Sequence, residues 1–163
     1  MKLPVLIFLP LFLIQTALYA ENSTFYYKKG IEFFQAGNLP GAEQNFRKAV
    51  ETNPSYTLGH YGLGRVYIMQ KGKVPDAIKH FKKSVSLDPN FSRGWFKLGL
   101  AEFISGKYIE SLHSFREAYE KDKTFIEALY NMGAVYDLLG NDYIAFTYYR
   151  LYYLKIKGEK SAF

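Results

Sequence analysis

The chain of 163 residues contains no cysteine, a single tryptophan and no block of like charge. Without cysteine, disulfides, thiolate metal ligands and lipid attachment through a thiol are excluded. The net charge of +6 comes from 21 Lys and Arg against 15 Asp and Glu, interspersed along the chain as in a solvated surface. Because 48% of the residues are hydrophobic, we expect a substantial core and no extensive disorder.

Motifs for catalysis or metal binding are also missing. The three histidines are His60, His80 and His113; no two are at i, i+4 spacing, and no zinc-type motif accompanies them. No G-x-x-x-x-G-K-[ST] run, which would bind phosphates, is present. We therefore predict no catalytic residues, no metal and no cofactor. An enzyme would require distant groups such as Glu102, Asp137 or His60 to meet in the folded chain.

The N-terminal segment has the pattern of a secretory signal peptide. Met1 and Lys2 precede an almost unbroken apolar run from Leu3 to Leu18, which is followed by the small residue Ala20. We predict cleavage after Ala20 and a periplasmic or other extracytoplasmic location. Retention as a membrane anchor is the alternative, although the run is short for a spanning helix, which needs about 20 residues. An exported chain does not meet genomic DNA, so no nucleic-acid partner is expected.

Internal periodicity is the strongest signal in the chain. Gly30, Gly64, Gly99 and Gly133 recur at intervals of 34, 35 and 34 residues. A second series is Gly37, Gly72, Gly106 and Gly140. A third is Ala42, Ala77, Ser111 and Ala145, each followed four residues later by Phe46, Phe81, Phe115 or Tyr149. Several independent positions keep one period, which predicts a repeat protein.

The motifs inside this period resemble the tetratricopeptide repeat, a helix-turn-helix of about 34 residues with the pattern W-x2-L-G-x2-Y, then A-x3-F, then P. The third unit has Trp95, Leu98 and Gly99 at the required spacing, and the second unit has Ala77 and Phe81. The resemblance implies an all-α fold, a right-handed α-solenoid of four helix-turn-helix repeats. The predicted organisation is a signal peptide at 1–20, a solenoid at 21–159 with repeats 23–56, 57–91, 92–125 and 126–159, and a tail at 160–163.

Helix packing explains the two glycine series. The first series removes a side chain where two helices approach closely, and the second suits the left-handed conformation that ends a helix. The extra residue between Gly64 and Gly72 predicts either a longer first helix or a distorted turn. Glu102 stands where the motif has Tyr, and we expect a small rotation to place Phe103 in the core and Glu102 near solvent.

A second apolar stripe on the first helix of each repeat indicates a binding surface. Tyr27, Tyr61, Phe96 and Tyr130 occupy equivalent positions in the four repeats. In the family this face lines a concave groove that receives peptides, so the resemblance implies an aromatic groove. Its predicted residues are Tyr27, Ile31, Phe34, Tyr61, Arg65, Ile68, Arg93, Phe96, Leu100 and Tyr130. The alternative is that these rings only pack one repeat against the next.

One subtype of the family clamps a terminal carboxylate with Lys and Asn residues of the first helices. The matching positions here are aromatic, and the positions four residues further on are Ile31, Arg65, Leu100 and Ala134. A carboxylate clamp is therefore not expected.

The last helix is rich in tyrosine and ends close to the C-terminus. A terminal repeat normally needs a polar outer face or a capping helix, and neither is evident. The predicted C-terminal interface consists of Phe146, Tyr149, Tyr152 and Tyr153. A partner, a second copy in a homodimer, or the folded-back tail could cover it, and the tyrosine hydroxyls also tolerate partial exposure.

These features predict a non-catalytic scaffold or adaptor outside the cytoplasm that binds protein partners, and we expect these partners to be components of an envelope assembly. The groove, the C-terminal helix or both would carry the interaction. The alternative is a component of a transport system that holds a small apolar ligand in the same groove. A retained signal segment would add membrane association.

Overall fold

A computed structural model describes the backbone of residues 8–158 and the side chains of residues 22–158. Residues 1–7 and 159–163 lie outside this description, and so do the side chains of the predicted signal peptide at 1–20 and all of the predicted tail. The helices are α1 (Phe8–Gln35), α2 (Leu39–Thr52), α3 (Thr57–Ile68), α4 (Val74–Leu87), α5 (Ser92–Ile104), α6 (Tyr108–Lys121), α7 (Glu127–Leu138) and α8 (Asp142–Lys157). In this part of the chain, no helix combines the length and the apolar character that a membrane crossing requires.

The helices pack as four consecutive hairpins. Helix α1 packs on α2, α3 on α4, α5 on α6 and α7 on α8, and the second helix of each hairpin then contacts the first helix of the next. The first helices also touch one another, α1 with α3 and α3 with α5, which places them on the inner side of the solenoid. This arrangement confirms the predicted all-α solenoid of helix-turn-helix repeats.

The glycines of the second series form the turns within the hairpins. Gly37, Gly72, Gly106 and Gly140 all have φ between +72° and +78°, where a side chain would be strained. At the end of α1 the amide of Asn38 donates to the carbonyl of Phe33 at 2.9 Å, which closes a Schellman motif. The predicted left-handed helix ends are confirmed.

The extra residue of the second repeat enlarges the turn. Helix α3 ends at Ile68 and α4 begins at Val74, whereas α5 ends at Ile104 and α6 begins at Tyr108. In the longer turn the amide of Gln70 donates to the carbonyl of Tyr67 at 3.0 Å. Of the two predicted outcomes, the distorted turn is therefore the correct one.

The glycines of the first series lie where a ring of the second helix touches the first. A Cβ atom on Gly64 would lie 2.6 Å from the Phe81 ring, and one on Gly133 would lie 2.7 Å from Tyr149. Gly30 faces Phe46 and Gly99 faces Phe115 in the same way. Close approach of the two helices therefore requires glycine at these positions, as predicted.

Candidate functional site

The inner side of the solenoid carries a groove of about 320 Å³ between α1, α3 and α5. We call it the concave groove; its lining residues are Phe34, Arg65, Ile68, Met69, Lys97, Leu100 and Ile104. The structure thus brings together four of the predicted groove residues, Phe34, Arg65, Ile68 and Leu100. Sequence reasoning missed Met69, Lys97 and Ile104. Their spacing was the available signal, since Lys97, Leu100 and Ile104 follow one another by three and four residues on one helix face.

Arg65 lies at the centre of the concave groove. Its guanidinium carbon is 4.2 Å from the centroid of the Phe34 ring and 5.7 Å from that of Tyr61, so a cation–π contact holds it in place. Among the described side chains, no carboxylate forms an ion pair with Arg65, Arg93 or Lys97. The groove therefore holds positive charge that the described part of the chain does not neutralise.

The pKa values of neighbouring groups reflect the positive charges of Arg65 and Arg93. Burial lowers the pKa of Lys97, and the charge of Arg65 lowers it further. Burial also raises the pKa of the Tyr27 and Tyr61 hydroxyls, while the charges of Arg65 and Arg93 partly oppose that shift. The concave groove is consequently both apolar and electropositive.

The four equivalent aromatic residues share a packing role. Each ring contacts a ring of the second helix in its own repeat: the centroid distances are 5.6 Å for Tyr27 and Phe46, 5.9 Å for Tyr61 and Phe81, 5.7 Å for Phe96 and Phe115, and 5.4 Å for Tyr130 and Tyr149. Three of them also contact the ring just before the next repeat, namely Tyr56, Phe91 and Phe125. Tyr27, Tyr61 and Phe96 therefore join consecutive repeats, which is the alternative role considered for this series.

The remaining predicted groove residues are distributed unevenly. Tyr61 is only 4% exposed and offers almost no surface to a partner. Tyr27 and Ile31 are half-buried against the core, and Arg93 is exposed. Tyr130 is 50% exposed but lies in the fourth repeat, where its ring contacts Tyr149 and Tyr152.

The last helix exposes a stripe of apolar side chains. Helix α8 packs mainly against α7, and only Ala145 is buried among its described side chains. Tyr143 and Phe146 are 82% and 65% exposed, and Tyr153 and Ile156 lie further along the same face. Of the predicted interface, Phe146 and Tyr153 point outward, while Tyr149 and Tyr152 pack against Tyr130.

Glu102 corrects a prediction, because the structure buries it and leaves Phe103 half-buried at the edge of the core. Glu102 is 2% exposed; the Ser114 hydroxyl donates to its carboxylate at 2.6 Å, and the Lys82 ammonium lies 3.5 Å away. The expected rotation of α5 does not occur, and residue 102 keeps an inward orientation. The hydroxyl and the ammonium satisfy the buried charge.

His60, which is buried, and His80, which is half-buried, form a second polar pair. His60 Nε2 donates to the Pro54 carbonyl at 3.1 Å, so Nδ1 of a neutral His60 is the acceptor for His80 Nδ1–H, also at 3.1 Å. The predicted packing role of His60 is confirmed by its burial. Burial is the first cause that lowers the pKa of both rings, and that of His80 falls to about 4.

The groups on which an enzymatic role would depend do not converge. His60 contacts His80 in the second repeat, Glu102 contacts Ser114 in the third, and Asp137 is exposed on α7 in the fourth. Within residues 22–158, no three His, Asp or Glu side chains form a group that could hold a metal ion.

The fold and the groove define a helical-repeat scaffold for protein interactions. The family model described as tetratricopeptide repeat matches residues 27–90 and 69–125, which together cover more than half of the chain. The chain belongs to the tetratricopeptide repeat family. No curated protein matches the sequence at a significant level.

Solved structures with the same fold include MamA proteins and a domain of RPAP3. The crystal structure of MamA protein is 27% identical with a TM-score of 0.76, over 85% of this chain and 74% of that one. MamA 41-end from Desulfovibrio magneticus RS-1 is 19% identical with a TM-score of 0.77, over 85% and 78%. The first repeat domain of Spaghetti (RPAP3), bound to the HSP90 peptide SRMEEVD, is 18% identical with a TM-score of 0.71, over 74% and 98%.

Proposed function

We propose that this chain is a non-catalytic scaffold outside the cytoplasm that binds an extended segment of a partner protein in the concave groove. The observation that carries the proposal is the placement of Arg65 and Lys97, without acidic partners among the described side chains, beside apolar residues of α1, α3 and α5. The segment that fits this surface has an apolar anchor next to an acidic residue. We expect the partner to be a component of an envelope assembly.

The apolar part of the segment would supply most of the binding energy. Met69 and Ile104 are exposed at the rim of the groove, and Leu100 is half-buried within it. Covering such groups stabilises the complex by about 25 cal/mol for each Å² of apolar surface taken from water. Anchors of this kind dominate interfaces in which a peptide lies in a groove.

The acidic part would give orientation and specificity. A carboxylate beside Lys97 would favour the charged ammonium and oppose the pKa lowering that burial and Arg65 impose. The contact of Arg65 with Phe34 holds the guanidinium in place before a partner arrives, which limits the entropy lost on binding. Basic segments would meet like charge and be rejected.

The fold neighbours support peptide binding as a use of this architecture. The RPAP3 domain is bound to a peptide of HSP90 in its structure. Its likeness to this chain extends to the fold, so the groove residues proposed here rest on this chain's own geometry.

Fluorescently labelled peptides test the groove. Three peptides of equal length and equal apolar content, with an excess of Glu, of Lys or of neither, are titrated with the protein. The acidic peptide is expected to bind at least tenfold more tightly than the basic one. The double variant Arg65→Gln/Lys97→Gln should lose that preference.

A charge-matched control separates the groove from general surface charge. Lys79 and Lys83 are exposed on α4, away from the concave groove, so Lys79→Gln/Lys83→Gln removes the same charge elsewhere. This control should bind the acidic peptide as the unaltered protein does. Equal loss in both variants, or equal affinity for all three peptides, would contradict a binding role for the groove.

The apolar run that precedes Ala20 supports export. The full chain is expressed in a Gram-negative host, and the periplasmic fraction is examined by N-terminal sequencing. Glu21 is expected as the first residue. Full-length protein in the membrane fraction would instead favour a retained anchor, and accumulation in the cytoplasm would contradict export.

The exposed stripe of α8 supports a second interaction surface. Tyr143, Phe146 and Tyr153 are exposed on a terminal helix that packs mainly against α7. We expect a second copy of the chain to cover it, since two such stripes that pack together would each remove the other's apolar surface from water.

A further inference from the structure

One structural position differs between the repeats and opens a second groove. Three residues after Gly64 and Gly133, the second and fourth repeats place Tyr67 and Tyr136 against a ring of the following helix. Tyr67 contacts His80 with centroids 5.5 Å apart, and Tyr136 stacks on Tyr148 at 5.6 Å. In each case two rings fill the space between the helices of the repeat.

The third repeat has Glu102 and Ser114 at the equivalent positions. The pair is joined by a hydrogen bond of 2.6 Å but has much less volume than two rings. A cavity of about 630 Å³ lies at this place, between α4, α5 and α6. We call it the Glu102 groove; it is on the side of the solenoid formed by the second helices, away from α1 and α3.

The walls of the Glu102 groove are mostly apolar. Val85, Trp95, Leu98 and Ile109 contribute to them, and Ile109 is largely exposed. Trp95 is held in place because its Nε1 donates to the Pro89 carbonyl at 2.9 Å and its ring meets His113 at 5.7 Å. The volume lies in the range of about 300–1,000 Å³ that is common for small-molecule sites.

We propose that the Glu102 groove binds a small amphipathic organic cation, with the apolar body against Trp95, Leu98 and Ile109 and the ammonium group at Glu102. This site is independent of the concave groove. A small ligand would thus bind on the side of the solenoid opposite to the concave groove, and not in the concave groove itself.

Charge complementarity decides the sign of the ligand's charge. Glu102 is a buried carboxylate in an apolar wall, and its intramolecular cation is Lys82, a half-exposed side chain 3.5 Å away. Lys82 can turn to solvent and make room for a ligand ammonium without breaking the hydrogen bond from Ser114. Glu110 adds a second carboxylate at the rim, whereas an anionic ligand would meet both acidic groups.

The single tryptophan of the chain makes the test direct, because intrinsic tryptophan fluorescence reports on the Glu102 groove alone. The full chain is titrated with three probes that share one apolar body: 4-phenylbutylammonium, 4-phenylbutan-1-ol and 4-phenylbutyrate. We expect a saturable change with the ammonium, at least tenfold weaker binding of the alcohol, and the weakest binding of the carboxylate.

Two variants assign the preference to this site. Glu102→Gln keeps the size and the hydrogen bond but removes the charge, so the ammonium should bind no better than the alcohol. The double variant Glu102→Tyr/Ser114→His copies the ring pair of the second repeat, fills the groove and should abolish binding of all three probes. Glu110→Gln is the matched control at the rim, and it should keep the preference for the cation. Circular dichroism confirms that each variant is folded.

Three results would overturn the assignment. One is equal affinity of the unaltered protein for ammonium and alcohol, and another is persistence of the cation preference in Glu102→Gln or in the ring-pair variant. The third is a saturable response to an apolar peptide containing lysine with none to 4-phenylbutylammonium, which would make the groove a docking site for a protein segment.

Discussion

The ring of Phe46 lies between Gly30 of its own repeat and Gly62 of the next one, and a Cβ atom on either glycine would be 2.6 Å from it. Gly62 does not belong to the periodic series, yet it has the same function across the boundary between repeats. Phe46 is therefore held on two sides at once, and the first and second repeats approach more closely than a side chain at residue 62 would allow.

Gly62→Ala is expected to destabilise the protein by about 1–2 kcal/mol. The clash with Phe46 would cost roughly 1–3 kcal/mol, and the better helix propensity of alanine would offset up to about 1 kcal/mol of it. Chemical denaturation measures the change. In a Phe46→Leu background the cost should be much smaller, and equal costs in the two backgrounds would show that the Phe46 contact is not the cause.

The histidine pair predicts a loss of stability in mild acid. Burial lowers the pKa of His80 from 6.5 to about 4 and also lowers that of His60, so the unfolded chain binds protons more readily between these values. The stabilising contribution is complete above pH 6.5 and decreases as the pH falls towards 4. Because His80 is partly exposed, we expect a loss of about 1–2 kcal/mol.

Thermal unfolding at a series of pH values from 7.5 to about 4.5 checks this dependence, since carboxylates contribute mainly below that range. His80→Phe removes the titrating ring and should flatten the profile. His113, which is exposed, gives the matched control, and His113→Phe should leave the slope unchanged. An unchanged slope in His80→Phe would contradict a role for the pair.

The Glu102–Ser114 pair predicts that a double variant is more stable than the single variant Ser114→Ala. Ser114→Ala leaves the buried carboxylate without its hydroxyl donor and should cost about 1–3 kcal/mol. Glu102→Leu/Ser114→Ala removes both polar groups and should recover most of that loss, because an apolar pair no longer requires a hydrogen bond. Urea denaturation measures both; a double variant no more stable than Ser114→Ala would show that the carboxylate needs no donor.

The exposed stripe of α8 predicts concentration-dependent association. Sedimentation equilibrium is expected to detect a dimer that Phe146→Glu/Tyr153→Glu dissociates, since both side chains are more than half exposed and charge would oppose burial. Met69→Glu/Ile104→Glu alters two comparably exposed apolar residues in the concave groove and should leave the dimer intact. A monomer at all concentrations, or dissociation by both variants, would exclude α8 as the contact.

The repeats could be predicted from the sequence because their signals are local and recur. Each glycine at a turn needs a left-handed backbone, and each ring four residues after Ala or Ser needs a small residue opposite, whatever the rest of the chain does. The groove was only partly predictable. Lys97 and Ile104 belong to it because α1, α3 and α5 come together there, and no motif within one repeat contains that contact.

The sequence by itself determined the family, the helical hairpins and the positions of close helix contact, since these depend on short-range spacing. Tertiary structure decided which individual polar groups are buried and which are exposed. Glu102 was expected near solvent, but its orientation depends on Ser114 and Lys82, which belong to other helices. Burial of a charge is settled by the partners that surround it, and those partners become neighbours only when the repeats stack.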